Sequence, residues 1–137
     1  MHGLNVAAER LANQHLSRQV FEKPSDVVRH LGAVQAQDYL ASLWAVGLRT
    51  KGATEADVER ALADRSVVRT WPMRGTLHFV PAADARWMLG LLTPRVVARS
   101  AARYRQLELD ERTFARCGEV FVRALRGGKS LTRAATY

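Results

Sequence analysis

VVRTWPMRGTLHFV, residues 67–80, is the stretch on which the fold turns. β-Branched and aromatic residues stand on both sides of Pro72-Met73-Arg74-Gly75, a group whose proline and glycine suit a chain reversal. The pattern predicts a β-hairpin. Everything upstream of it reads as helix. Thr54-Glu55-Ala56-Asp57 places a capping residue before acidic residues in a first turn, and Val58, Ala61 and Leu62 follow as a buried stripe. Lys23-Pro24-Ser25-Asp26 reads as another helix start, with Val27, Val28 and Leu31 as its apolar side and Gly32 as its stop. An apolar run from Tyr39 to Leu48 predicts a buried helix, and residues 5–17 a further one. Helices followed by a hairpin are the order expected of a winged helix-turn-helix. The fold class is therefore mainly α with a small β-hairpin.

Downstream, Pro81 leads into AADARWMLGLL, a short helix expected to stop at Thr93-Pro94. Thr93 would cap, and Pro94 would open, a second helix over about Arg95–Leu107. Asp110 caps a third, from Glu111 to about Arg126, which Gly127-Gly128 ends. Ser130-Leu131-Thr132-Arg133 looks like the entry to a new helix with almost no chain left to complete it. The expectation is the front part of a longer protein.

Length and composition fit one domain with a core, at 137 residues and 47% hydrophobic. The charge is lopsided. Residues 1–65 hold eight Lys or Arg and eight Asp or Glu, and residues 66–137 hold thirteen and five, so the whole net +8 lies in the second part. A one-sided basic surface points to a polyanion, most often nucleic acid, although only three of the 21 basic residues are lysine and an arginine-rich coding bias would give the same count. Cys117 is the sole cysteine, which excludes an intrachain disulfide and a zinc–cysteine cluster; helical spacing predicts a small buried thiol there. No signal peptide is expected, because Glu9 and Arg10 appear without an apolar run before them. The longest apolar stretch is far short of the ~20 residues of a membrane span. A cytoplasmic protein is expected, with no metal or organic cofactor.

GAVQAQDYLASLW, residues 32–44, carries the chemically unusual feature. Positions two apart diverge by about 200° on a helix but share a side in an extended segment. Gln35 and Gln37 therefore converge only if residues 34–37 are extended or form a turn before the helix. Converging amides cannot take a proton at neutral pH, yet they could position a water and aim carbonyl dipoles at a developing positive charge. That suits cleavage of a bond whose leaving group is already activated. By spacing alone, two solvated or capping amides are the better reading. Asp38 could be a general base, but before a helix it suits the helix dipole better.

His78 shares an alternating strand face with Arg74 and Thr76, a polar face that could contact DNA or simply be solvated. No second ligand lies near His78 at metal spacing. Arg95, Arg99 and Arg103 recur every fourth residue with no acidic residue between, a stripe suited to phosphates.

LGAVQAQDYLASLWAVGLRT, with VVRTWPMRGTLHFVPAADARWML and GGKSLTR, resembles the bacterial winged-helix proteins related to AlkZ and YcaQ, which are DNA glycosylases for alkylated bases and interstrand crosslinks. The resemblance runs from about Leu11 to Arg133. AlkZ-like members carry Gln-aliphatic-Gln where YcaQ-like members have Gln-x-Asp, so Gln35-Ala36-Gln37 is similar to the AlkZ branch. The resemblance implies tandem winged-helix units forming a basic channel for double-stranded DNA. Residues 1–81 would be the first winged-helix unit, 82–128 linking helices, and 129–137 the start of a second unit. It implies that Gln35 and Gln37 are catalytic, positioning water and stabilising an oxocarbenium-like sugar. Arg74, His78, Arg95 and Arg99 are the candidate DNA contacts. The expected activity is excision of alkylated nucleobases by a monomer, with the 137 residues alone inactive; the alternative is a non-catalytic winged-helix transcription regulator.

Overall fold

The computed structural model describes residues 5–136. It forms two compact units, Met1–Val96 and Val97–Tyr137. The first unit begins with α1 (Val6–Asn13), α2 (Pro24–Leu31), β1 (Val34–Gln35), α3 (Tyr39–Gly47) and α4 (Glu55–Ala63). The hairpin follows as β2 (Val67–Met73) and β3 (Thr76–Pro81), and α5 (Ala82–Gln106) leaves it directly. The second unit holds α5 from Val97 onward, α6 (Glu111–Leu125) and a 3-10 turn over Arg133–Thr136. The order is that of a winged helix, helices first and wing last.

β1 is the addition that the sequence did not announce. It pairs antiparallel with β3, giving a three-stranded sheet in the order β1-β3-β2. The hairpin turn is also tighter than Pro72–Gly75. Met73 pairs with Thr76, and only Arg74 and Gly75 turn, both at positive φ (54° and 71°). Two left-handed residues are what a type I′ hairpin turn requires. Pro72 stays inside β2, where the register shifts between Thr70 and Met73. Because β2 is an edge strand, the missing proline N–H breaks no pairing on its outer side.

Val27 and Val28 of α2, Leu43 and Val46 of α3, Val58 and Ala61 of α4, Val67 and Phe79 of the hairpin and Ala36 form one buried cluster. α2 ends as expected, with Gly32 at φ 74°. α4 is held at its start by the Asp57 carboxylate, which accepts from the Thr54 N–H at 2.8 Å and the Thr54 hydroxyl at 2.7 Å. α3 is buried on one face only. Ser42, Leu43 and Val46 point inward, while Leu40, Trp44 and Leu48 are exposed.

Four further expectations need correction. The first helix stops at Asn13, before a left-handed His15. α5 runs unbroken through Pro94 instead of ending at Thr93. Proline there removes the donor to the carbonyl of Gly90, but good helix formers on both sides carry the helix past the lost bond. Thr93 is thus a helix-interior residue, and its buried Oγ1 has no hydrogen-bond partner. Finally, Cys117 is exposed, not buried. α6 is amphipathic as its spacing predicts, yet it carries no buried residue among those described. Ser130 does not open an α-helix; Thr132 instead accepts from the Ala135 N–H at 3.3 Å at the start of the 3-10 turn.

Candidate functional site

The sheet register sorts the residues of interest onto two faces. Residues directly opposite one another in an antiparallel ladder share a face. Val34, Phe79 and Arg69 make one row, and Phe79 places that face against the helical core. Gln35, His78 and Thr70 make the next row, on the opposite face. Gln35 and His78 form a non-hydrogen-bonded pair, the kind whose side chains lie closest.

Gln35 therefore emerges on the side of the sheet away from the core cluster. It opens into a cleft of about 480 Å³ lined also by Arg74, His78, Met73, Met88 and the residues 31–33 that end α2. Three of the residues singled out in the sequence, Gln35, Arg74 and His78, thus share one cleft. His78 is not a free wing residue. It is 3% exposed, and its Nδ1 lies 2.9 Å from the Thr76 carbonyl, an acceptor to which Nδ1–H donates.

Gln37 is held differently. Residues 34–37 are extended enough to bury Ala36 completely and leave Gln35 and Gln37 exposed on either side of it. The Gln37 Oε1 accepts the Leu77 N–H at 3.1 Å, which fixes the side chain against β3 and leaves the amide NH₂ free. Asp38 caps α3, its Oδ1 accepting from the Ala41 N–H at 3.0 Å, so its carboxylate is engaged as the dipole argument expects. Arg95 and Arg99 are exposed on α5 and lie outside the cleft lining. Among the described residues no group of three His, Cys, Asp or Glu could hold a metal ion.

Sequence reasoning missed Arg69. Its Nε and Nη2 donate to the Ala36 carbonyl at 3.0 and 2.8 Å, and Nη2 reaches the Gln37 carbonyl at 3.4 Å. The guanidinium lies 5.3 Å from the centroid of the Tyr39 ring, a cation–π distance. The Tyr39 hydroxyl donates to Glu59 at 3.3 Å, and burial first, then the Glu59 charge, raises its pKa. A signal for Arg69 was available. It sits two residues from Val67, a charge on the strand face that Val67 turns into the core.

With this geometry in place, comparison with known proteins is direct. A family model described as DNA glycosylase AlkZ-like matches residues 28–136. A curated protein of Streptomyces sahachiroi, an interstrand DNA cross-link repair glycosylase, is 38% identical over 87 residues, covering 64% of this chain and 24% of that protein. The solved structure of Streptomyces sahachiroi DNA glycosylase AlkZ superposes with a TM-score of 0.74 at 30% identity, over 93% of this chain and 34% of that one. The chain spans about a quarter to a third of the length of these relatives. On a family match that takes in both glutamines and the whole hairpin, this chain belongs to the AlkZ-like DNA glycosylases.

Proposed function

We propose that the protein of which this chain forms part excises alkylated nucleobases from double-stranded DNA, with Gln35 and Gln37 as the catalytic pair. The observation that carries the reading is the placement of the two amides. They flank a fully buried Ala36 on a strand locked to the hairpin, one opening into the cleft and the other tied to β3. An N7-alkylated purine is cationic and departs as a neutral base, so little base strength is required. The C1′–N bond breaks with its electron pair going to the base, a C1′–O bond forms from water, and the water proton passes to solvent. Amide oxygens stabilise the oxocarbenium-like sugar and orient the water. Gln37 keeps a second lone pair on Oε1 for this, beyond the bond to Leu77. Unhooking of interstrand crosslinks would use the same bond cleavage, as the name of the curated relative indicates for that protein.

Arg74 at the rim of the cleft, with exposed Arg95 and Arg99, would contact phosphates, and His78, which lines the same cleft, would contact the extruded nucleotide. No helix among the described residues is long and apolar enough to cross a membrane, and we read the protein as a cytoplasmic monomer. Residues 1–81 would form the winged-helix unit, 82–128 linking helices, and 129–137 the start of a second unit.

The test is base release from duplex DNA carrying N7-alkylguanine, by the longest natural protein containing this chain. Gln35→Ala and Gln37→Ala should each lower the single-turnover rate by about 10²–10³. Sequence-selective binding with no release from any alkylated duplex would replace the glycosylase with a regulator.

A further inference from the structure

Ala36 and Leu77 should form a reciprocal pair in the sheet, each donating its N–H to the other's carbonyl. Half of the pair is present, since the Ala36 N–H donates to the Leu77 carbonyl at 2.8 Å. The other half has been exchanged. The Ala36 carbonyl accepts both Nε and Nη2 of Arg69, and the Leu77 N–H donates to the side chain of Gln37. One ladder bond is thereby traded for a charge-assisted bond to a guanidinium and a bond to the Gln37 amide.

The geometry points to Arg69 as the positioning residue of the Gln-Ala-Gln segment: by occupying the Ala36 carbonyl it releases the Leu77 N–H to hold Gln37. This rests on the reading that Gln37 acts in base excision. Arg69 suits the task because its planar fork places two donors on one oxygen, while Nη2 also reaches the Gln37 carbonyl. Both peptide planes around Gln37 are therefore addressed by one side chain. The Tyr39 ring lies against the guanidinium, and the Tyr39 hydroxyl donates to Glu59. Remove the guanidinium and the Ala36 carbonyl becomes the natural acceptor for Leu77 again, which expels the Gln37 side chain.

The experiment is amide NMR on this 137-residue chain as wild type, Arg69→Met and Arg69→Lys. In Arg69→Met the Gln37 side-chain NH₂ resonances should move to the positions of a free glutamine, and the nitrogen shift of Leu77 should change as its acceptor switches. Core amides of Val46 and Val58 should keep their hydrogen exchange, separating a local release from unfolding. Arg69→Lys supplies one donor without the fork and should populate both arrangements. Millimolar methylguanidinium added to Arg69→Met should restore part of the wild-type Gln37 signal, a rescue that a packing role would not give. In the longest natural protein, the excision rate of Arg69→Met should fall about tenfold with DNA affinity unchanged. Unmoved Gln37 and Leu77 resonances would overturn the inference while leaving the glycosylase reading intact. So would a weakened affinity whose salt dependence drops by about one phosphate contact, since Arg69 would then be a DNA ligand. Full activity in Gln37→Ala would instead sink the catalytic reading, and the NMR result would still decide whether Arg69 holds Gln37.

Discussion

The two units of this chain use the same amphipathic spacing to different ends. In the first, Val27, Val28, Leu43, Val46, Val58 and Phe79 close into one core, and the sheet laid on that core holds the Gln-Ala-Gln segment in place. In the second, α6 has an equally clear apolar side, yet Phe114, Val120, Phe121 and Leu125 all stay at least 40% exposed. Tyr104 packs edge-on against Phe114 at 5.1 Å, one contact where the first unit has a cluster. Periodicity states which side of a helix is apolar. It does not state that the side is buried within the same compact unit.

The sharpest way to break this comparison is to remove one aromatic ring from each unit. Phe79→Ala should lose about 3–5 kcal/mol, a large part of a small domain's stability. Phe121→Ala should lose under about 1 kcal/mol, because its ring is already 46% exposed. All three tryptophans, Trp44, Trp71 and Trp87, belong to the first unit, so their fluorescence follows that unit alone. The Phe79 variant should shift the fluorescence midpoint in urea and the Phe121 variant should not. A shift from Phe121→Ala as large as that from Phe79→Ala would mean that the two units unfold as one.

A smaller effect compares backbone with backbone. Gly75 in the hairpin turn and Gly127 after α6 both have positive φ, 71° and 79°, and neither has an atom within 4 Å of where a Cβ would stand. Alanine at either position meets only the conformational penalty of the left-handed region, about 1–2 kcal/mol. Gly75→Ala should move the tryptophan-detected midpoint. Gly127→Ala should leave it in place and appear only in the far-UV circular dichroism of the helices. Equal movement of both signals in both variants would contradict the division.

These contrasts also explain what was legible in the sequence. The starts of α2, α4 and α6 and the stop at Gly32 were readable, because capping and left-handed glycine are local chemistry. The hairpin was readable, but its turn is tighter than the Pro72–Gly75 group: Pro72 draws attention as a turn former, whereas the chain reverses at Arg74-Gly75 alone. The break expected at Pro94 failed because a proline's penalty is one term in a sum over 25 residues. At the site, the period-two argument stated only the condition under which Gln35 and Gln37 could converge. It could not supply β1, because a two-residue strand has no pattern of its own and exists only through its pairing with β3. Nor could it supply Arg69, whose two partners are carbonyls 32 and 33 residues away in the chain. Burial of His78 was hidden for the same reason, since alternation gave its face but not what covers it.

Acid should separate the units most gently. Asp57 at α4 is held below the usual carboxylate range by hydrogen bonds from the Thr54 N–H and side chain. Asp110 at α6 is held below it by those from the Thr113 side chain and N–H, the latter at 2.7 Å. A carboxylate with a depressed folded pKa adds stability that is fully present above its unfolded value, about 3.9, and is lost as pH falls through the folded value. Both caps therefore weaken in the same direction and below about pH 4. The consequences differ. Losing the Asp57 contacts leaves α4 anchored by Val58 and Ala61 in the core, whereas α6 has no buried residue to hold its first turn. The Thr113 amide should shift and lose exchange protection as the pH falls, while Val58 keeps its protection over the same range. Asp110→Asn retains a capping oxygen but cannot titrate, so its Thr113 amide should stay flat with pH. If Val58 and Thr113 instead lost protection together, acid would be unfolding one cooperative structure, and the core of the first unit would extend its hold to α6.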